Sequence, residues 1–162
     1  FYMDTDVEVL KSFNPLLEAQ CILGMEEKEY VATSFMAFEK GHPLVKEFLN
    51  LYEHLSFLDE KGKIIAGTNV AKLTKMLKEK GFVQENHYQK LENGIQIYPK
   101  EFFSPYDYIN CHYNITENSY CVHHFAVSWM SKKEQVKKGI KKRIVKILGP
   151  EKMNGIREKL KR

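Results

Sequence analysis

The sequence predicts an α/β fold, because segments with the features of strands alternate with segments of helical periodicity. Residues 30–38 are rich in β-branched and aromatic side chains, which is typical of a strand. Apolar residues recur at helical spacing through residues 44–57 and again through residues 70–77. With 162 residues, 43% of them hydrophobic, the chain is long enough for one domain with a core.

The elements follow one another in a regular order along the chain. After an opening strand that runs into Asp4-Thr5-Asp6, the predicted strands are residues 20–25, 30–38, 95–99 and 119–125. The predicted helices are residues 16–19, 44–57, 70–81, 131–148 and 150–161. Asn93-Gly94 is a turn signal, and residues 100–119 have no clear period, so they are expected to form an irregular loop.

The cysteines and the apolar runs of the sequence argue against a disulfide-rich, zinc-binding or membrane-spanning protein. Cys21, Cys111 and Cys121 are too few for a disulfide framework, and no zinc-ligand spacing occurs. No apolar run approaches the roughly 18 residues of a membrane span, and no signal peptide is recognisable. We therefore expect reduced thiols and a cytoplasmic protein.

The charge is concentrated at one end of the chain. Residues 132–162 hold thirteen Lys/Arg and three Asp/Glu, whereas the remainder has a net charge of −6. Within this basic tail an apolar helical stripe is formed by Val136, Ile140, Ile144, Ile147 and Leu148. Such a helix either lies on an anionic membrane, at its inner face, or packs its stripe on the domain while the lysines face water. The tail lacks interleaved aromatic residues, so no nucleic-acid partner is expected. The alternative function is a non-catalytic protein, or a membrane- or nucleic-acid-binding module driven by the tail.

The first candidate site is the pair Asp4 and Asp6. Two carboxylates spaced i, i+2 at the carboxyl end of a strand lie where open α/β sheets usually bind ligands. Paired hard oxygens suit Mn²⁺ or Mg²⁺, and these cations in turn suit a diphosphate. A solvated turn is the alternative interpretation of this short motif.

The second candidate site lies near the other end of the chain, at His123-His124 and Ser128-Trp129. Adjacent side chains of a strand face opposite ways, so only one of the two histidines can readily point into a given site. A neutral imidazole is a good ligand for Mn²⁺ beside carboxylates. The Ser128 hydroxyl and the Trp129 indole N–H can bind phosphate oxygens. The alternative is a core histidine beside a packing tryptophan.

Two further segments are weaker candidates. Asn69 follows Gly67 and Thr68 at a strand-to-helix junction, where it either faces a sugar or acceptor or, like Thr68, caps the helix. Glu26 and Glu27 could approach a sugar, but a solvated charge run is the favoured interpretation.

Three motifs in this order resemble glycosyltransferase family 32. They are the opening Phe-Tyr-Met-Asp-Thr-Asp-Val-Glu-Val-Leu, the helix start Gly41-His42-Pro43, and His123-His124 followed by Ser128-Trp129. This family of "DXD sugar-binding" enzymes includes capsular polysaccharide, mannosyl- and galactosyltransferases. The resemblance covers the chain from residue 1 to about residue 130.

The resemblance implies a GT-A fold and a retaining transfer from a UDP- or GDP-linked sugar to a saccharide or lipid-linked acceptor, with Mn²⁺ (or Mg²⁺) as cofactor. By position, Asp6 would be a direct metal ligand, and Asp4 would contact the donor's ribose or the metal through water. One of His123 and His124 would complete the metal shell, and Ser128 and Trp129 would hold the diphosphate.

The resemblance also implies an organisation of the chain. Residues 1–130 would be the C-terminal portion of a catalytic domain, truncated at its N-terminus, and residues 131–162 a basic amphipathic tail. The nucleotide-binding half of such enzymes precedes the Asp-x-Asp motif, so we expect it upstream of Phe1. Val127 stands where relatives often carry Gly. A truncated sheet edge would favour pairing between copies, so an oligomer is one expected state.

Overall fold

The computed structural model describes residues 1–27, 29–53, 55–62, 67–108, 110–126, 132–149 and 152. Its strands are β1 (Tyr2–Met3), β2 (Val7–Val9), β3 (Cys21–Glu27), β4 (Tyr30–Phe38), β5 (Gln89–Lys90), β6 (Ile95–Tyr98), β7 (Tyr106–Asp107), β8 (His112–Tyr113) and β9 (Cys121–His123). Its helices are α1 (Pro43–Asn50), α2 (Asn69–Glu79), α3 (Lys100–Phe103) and α4 (Lys132–Leu148), with a single 3-10 turn at Asn14–Leu16. The predicted mixture of strands and helices is confirmed at the level of the α/β class.

The main sheet has five strands in the spatial order β1-β4-β3-β6-β5. Strands β3 and β6 are parallel, and the other neighbouring pairs are antiparallel. Two separate antiparallel ladders join β2 to β9 and β7 to β8. Strand β1 lies at one edge of the main sheet, and the chain continues from it into β2 of the β2/β9 ladder.

Apolar side chains pack against both faces of the main sheet. On one face, Leu73 and Leu77 of α2 contact a cluster that includes Leu23. On the other face, the rings of Phe35 and Phe103 stack with their centroids 4.2 Å apart. Burying an aliphatic or aromatic side chain of this size contributes roughly 1.5–3 kcal/mol, so both layers stabilise the sheet.

A glycine allows the close approach of Phe103 to the sheet. A Cβ atom on Gly24 of β3 would lie 2.7 Å from Cδ2 of Phe103, which is nearer than carbon atoms can pack. The missing side chain therefore lets α3 lie directly on β3.

The helix boundaries follow local chemistry. Helix α2 is capped at its N-terminus by Thr68, whose Oγ1 accepts a hydrogen bond from the Ala71 N–H at 3.2 Å. It is followed by Gly81 in the left-handed region (φ +91°), as predicted. Helix α1 ends at Asn50, seven residues before the predicted end. Beyond Asn50 apolar residues such as Leu55 are exposed, and a helical periodicity without a packing surface does not hold a helix together.

The segment 100–119 is more ordered than the sequence predicts. It contains α3 and the β7/β8 ladder, and its aromatic residues Phe103 and Tyr106 are buried. The Ser119 hydroxyl donates to the carbonyl of Glu101 at 2.7 Å and ties the end of the segment to α3. Apolar burial therefore organises a stretch that lacks any period.

The last elements agree with the sequence only in part. Strand β9 has three residues rather than the seven predicted, because Phe125 adopts φ +50° and turns the chain out of the ladder. Helix α4 matches the prediction of residues 131–148, whereas the helix predicted at residues 150–161 falls almost wholly outside the described residues. All three cysteines are free thiols. Among the described helices, none combines the length and the apolar character that crossing a bilayer requires.

Candidate metal centre

The Asp4-Thr5-Asp6 segment is a turn between two different sheets. Before it, β1 pairs with β4, and after it, β2 pairs with β9. The Asp4 N–H donates to the carbonyl of Ser34 at 2.9 Å, and the Asp4 carbonyl accepts from the Val7 N–H at 3.1 Å. Both ends of the turn are thus held by main-chain hydrogen bonds, so the two carboxylates have a fixed base.

The β2/β9 ladder brings His123 to these carboxylates. Val7 is paired with His123 across the ladder, which places residues about 120 apart in sequence side by side. The His123 Nε2 atom lies 3.3 Å from Asp6 Oδ1 and 4.0 Å from Asp4 Oδ2. One ligand atom from each of Asp4, Asp6 and His123 lies within 4.8 Å of the other two. Two carboxylates and one imidazole at these distances form a ligand set that suits a divalent cation.

Each carboxylate has one oxygen fixed by a hydrogen-bond donor and the other turned towards His123. The Tyr2 hydroxyl donates to Asp4 Oδ1 at 2.8 Å, and the Ala126 N–H donates to Asp6 Oδ2 at 2.7 Å. The remaining oxygens, Asp4 Oδ2 and Asp6 Oδ1, are the two nearest to Nε2. Such supporting hydrogen bonds orient metal ligands and strengthen binding.

The left-handed backbone conformation of Phe125 allows the Ala126 N–H to reach Asp6 Oδ2. The His124 N–H still donates to the Asp6 carbonyl at 3.0 Å, and the chain then turns at Phe125 so that the next N–H reaches the Asp6 side chain. A left-handed conformation costs a residue with a Cβ atom roughly 1–2 kcal/mol. The Phe125 ring packs on the His123 ring, with centroids 3.9 Å apart, and this contact offsets part of that cost.

The protonation states favour cation binding. Burial lowers the pKa of His123, although the charges of Asp6 and Asp4 oppose that shift, so the imidazole is neutral and keeps a lone pair at neutral pH. For Asp6, burial opposes ionisation, but the Ala126 hydrogen bond and the His123 charge outweigh it and lower the pKa. His123 carries a charge only as imidazolium, so its charge does not lower the pKa of Asp6 at neutral pH. There, the main contact that stabilises the ionised Asp6 carboxylate is the Ala126 N–H.

The second nitrogen of His123 is not itself evidence for a cation. Its Nδ1 atom is buried and has no hydrogen-bond partner among the described residues. With Nε2 directed at two carboxylates, a cation at Nε2 would place the ring proton on Nδ1. The fit to a divalent cation rests on the two carboxylates and Nε2, and Mn²⁺ is favoured over Mg²⁺ because one ligand is a nitrogen.

The second histidine lies on the opposite side of the ladder. His124 Nε2 is 2.8 Å from Glu8 Oε2, and His124 Nδ1 is 2.9 Å from the Tyr113 hydroxyl. Both ring nitrogens are therefore engaged, and His124 does not belong to the Asp4/Asp6/His123 cluster. His124 directly follows β9, and its ring contacts different groups from that of His123, as expected for neighbouring residues of an extended segment.

The cluster opens into a cavity of about 630 Å³, which is within the range of small-molecule sites. Its walls include Thr33, Ser34, Val70 and Glu26. Burial, together with the negative charges of Glu27 and Asp4, raises the pKa of Glu26 to about 7, against the opposing effect of Lys100. No described residue forms a hydrogen bond or ion pair with the Glu26 carboxyl group.

Glu26 is the residue whose surroundings differ most from the solvated charge run that the sequence favours, because it lines the cavity. Strand β3 continues through Glu27 rather than ending before Glu26, so the two neighbours point in different directions. Glu27 forms a 2.7 Å ion pair with Lys100, whereas Glu26 lines the cavity. The signal was the position of Glu26 directly after the buried run of β3.

The other predicted site residues have different surroundings. Asn69 is the first residue of α2, and its Oδ1 accepts a hydrogen bond from the Tyr52 hydroxyl at 2.7 Å. Thr68, not Asn69, caps the helix, and Val70 rather than Asn69 lines the cavity. Ser128 and Trp129 lie outside the described residues.

A larger cavity of about 760 Å³ occurs elsewhere, but its polar groups bind one another. The Glu27–Lys100 ion pair lines it, and Asn86 accepts a hydrogen bond from the Lys100 N–H at 2.7 Å. The Asp4/Asp6/His123 cavity is therefore the better candidate site.

Comparison of the chain with known protein families, with curated proteins and with solved structures gave no match.

Proposed function

We propose that this chain carries the metal- and donor-binding part of a retaining glycosyltransferase with a GT-A fold. The donor would be a UDP- or GDP-linked sugar, and the acceptor a saccharide or lipid-linked saccharide, as in polysaccharide biosynthesis. The observation that carries the proposal is the convergence of Asp4, Asp6 and His123 on one cavity, with one oxygen of each carboxylate already held by a donor.

The sequence motifs supply the second argument. Two residues of the cluster, Asp6 and His123, are among those that the resemblance to glycosyltransferase family 32 assigns to the metal, and it assigns Asp4 to the donor's ribose or to the metal through water. The mixed α/β sheet, with the Asp-Thr-Asp turn directly after an edge strand, is compatible with a GT-A fold. The retaining outcome and the nucleotide-sugar donor rest on the resemblance alone.

The chemistry of the site fits the departure of a nucleoside diphosphate. A divalent cation, when bound, supplies positive charge that stabilises the leaving diphosphate. Asp4 and Asp6 would hold that cation with fixed carboxylate oxygens, and neutral His123 would add a ligand without adding charge. Glu26 brings a further carboxyl group to the same cavity wall, and carboxyl oxygens readily bind sugar hydroxyls.

The direct test is cation-dependent binding of nucleotides to the full-length protein. Calorimetric titration with UDP, GDP and their hexose conjugates, each with Mn²⁺ and with EDTA, should show tight binding of one nucleotide series only when Mn²⁺ is present. Asp6→Asn keeps the shape of the side chain and removes its charge, and should weaken Mn²⁺ binding by at least the roughly 10–100-fold that loss of an outer-shell partner causes.

Asp59→Asn is the matched control, because it makes the same change in a loop distant in sequence from the cluster. If nucleotide sugars bind equally well with EDTA, or if Asp6→Asn binds Mn²⁺ like the unaltered protein, the proposed function is wrong. If Mn²⁺ binds but no nucleotide does, the cluster is a metal site without a donor pocket.

A further inference from the structure

Helix α4 exposes an aliphatic stripe to solvent. Val136, Ile140, Ile144 and Ile147 follow one another at spacings of four, four and three residues, so they share one face of the helix. Their exposed fractions are 61%, 54%, 41% and 82%. A contiguous exposed aliphatic stripe of this kind marks an interaction surface.

A different face of the helix attaches it to the rest of the chain. Val145 is only 5% exposed. The Lys141 ammonium group donates to the carbonyl of Tyr108 at 3.2 Å and lies 5.0 Å from the centre of the Tyr108 ring. In the part of the chain that the structure describes, the stripe is therefore exposed and does not pack on the domain.

The charge around the stripe indicates its partner. Helix α4 contains eight Lys/Arg residues and one Glu, whereas residues 1–131 carry a net charge of −6. Two exposed basic residues are neighbours of the stripe in sequence: Lys137 follows Val136, and Arg143 precedes Ile144. The surface that complements this helix must be apolar along one line and negatively charged on both sides of it.

We propose that α4 lies on an anionic lipid surface, with its aliphatic stripe in the outer acyl region and its basic residues at the depth of the phosphates. Amphipathic helices with a basic polar face and an apolar opposite face bind in this way, and each basic residue near an anionic leaflet adds to the attraction. Single-stranded nucleic acid is a poorer match, because binding to its bases uses aromatic stacking and the stripe is purely aliphatic.

The proposal is independent of the catalytic assignment. A helix on the membrane would hold the chain at a lipid surface whatever the cavity binds. For a transferase with a lipid-linked acceptor, it would place the cavity near that substrate.

The test is flotation of the full-length protein with two kinds of vesicle, phosphatidylcholine alone and phosphatidylcholine mixed with phosphatidylglycerol. The unaltered protein should float with the mixed vesicles only, and less so as the salt concentration rises. The double variant Ile140→Ser and Ile144→Ser keeps the charge, and serine and isoleucine have similar helix propensities. It should bind the mixed vesicles at least about tenfold more weakly, since each isoleucine loses its burial in the acyl region.

Matched controls separate the stripe from general effects. Ile115→Ser changes an exposed isoleucine in a loop and should leave flotation unchanged. Lys137→Gln with Arg143→Gln should reduce flotation, whereas Lys40→Gln with Lys90→Gln should not, and circular dichroism should show the same helix content in all variants. Flotation that is absent, or equal for both vesicle types, or unaffected by the stripe variant, would overturn the proposal. So would binding to a single-stranded RNA homopolymer, or self-association, in a protein that ignores the vesicles.

Discussion

Two histidine clusters lie on opposite sides of the same short β2/β9 ladder. On one side, His123 faces Asp4 and Asp6 in a cavity, and on the other, His124 contacts Glu8 and Tyr113. The residue types are nearly the same, and the histidines are neighbours in sequence. The clusters differ in which atoms are already bound.

In the Glu8/His124/Tyr113 cluster the imidazole has a partner at each nitrogen, and the group is largely exposed. In the Asp4/Asp6/His123 cluster the donors Tyr2 and the Ala126 N–H bind the outer oxygens, and the inner oxygens and Nε2 face one another. In the Glu8/His124/Tyr113 cluster both ring nitrogens already have partners. In the Asp4/Asp6/His123 cluster the ligand atoms are directed at a common point. Histidine and carboxylate residues therefore form a candidate metal site where supporting hydrogen bonds hold the outer atoms and the inner atoms converge on one point.

The largest expected effect separates the two histidines. His123→Ala should weaken Mn²⁺ binding by roughly 100-fold or more, because it removes a direct ligand rather than the outer-shell partner whose loss costs about 10–100-fold. His124→Ala removes the same ring one residue away and should change Mn²⁺ affinity by less than about threefold, since its effect is confined to surface hydrogen bonds. Titration of Mn²⁺ followed by electron paramagnetic resonance measures both. Equal losses in the two variants would show that the ladder, and not the imidazole, determines affinity.

Sequence alone singled out Asp4, Asp6 and His123, which the structure brings together, but it did not separate them from His124 and Asn69, which lie elsewhere. Asp4, Asp6 and the histidine pair stood out because their side chains carry the right ligand atoms at the ends of predicted strands. The choice between His123 and His124 depends on the register that pairs Val7 with His123, and cross-strand register between segments so distant in sequence has no local signal.

Glu26 and the 100–119 segment were misjudged for a related reason. Strand β3 extends through Glu26 and Glu27 because it pairs with β4 and because Glu27 meets Lys100, which is 73 residues away. The order in residues 100–119 comes from burial of Phe103 and Tyr106. Both depend on tertiary contacts, which override local propensity.

Glu26 gives the next prediction, which concerns stability in the absence of metal. Burial, Glu27 and Asp4 raise its pKa to about 7, whereas in the unfolded chain a glutamic acid ionises near about 4.3. Between these two pH values the folded chain holds a proton that the unfolded chain has lost. The free energy of unfolding should therefore fall as the pH rises through this window and stay lowered above it.

Glu26→Gln removes this ionisable group and should be more stable than the unaltered protein at pH 8, by on the order of 3–4 kcal/mol, but similar to it at about pH 4. Urea unfolding in EDTA at the two pH values measures the difference. Glu29→Gln changes an exposed neighbour and serves as the control. A stability difference for Glu26→Gln that does not depend on pH would contradict the assigned burial of the charge.

The smallest expected effects come from removing one hydroxyl group on each side of the ladder. Tyr2→Phe deletes the donor that holds Asp4 Oδ1 and should weaken Mn²⁺ binding about tenfold, the lower end of the range for outer-shell partners. Tyr113→Phe deletes the hydroxyl at His124 Nδ1, should leave Mn²⁺ affinity unchanged, and should cost at most about 1 kcal/mol of stability at this exposed position.

The two tyrosine variants make the same chemical change, so general effects of losing a hydroxyl cancel in the comparison. Mn²⁺ titration and urea unfolding of both proteins give the two quantities side by side. Weaker Mn²⁺ binding in Tyr113→Phe would mean that the Glu8/His124/Tyr113 cluster positions the metal ligands through the ladder. An unchanged affinity in Tyr2→Phe would mean that the main-chain bonds of the Asp4-Thr5-Asp6 turn suffice to orient Asp4, because they are the contacts that the variant leaves in place.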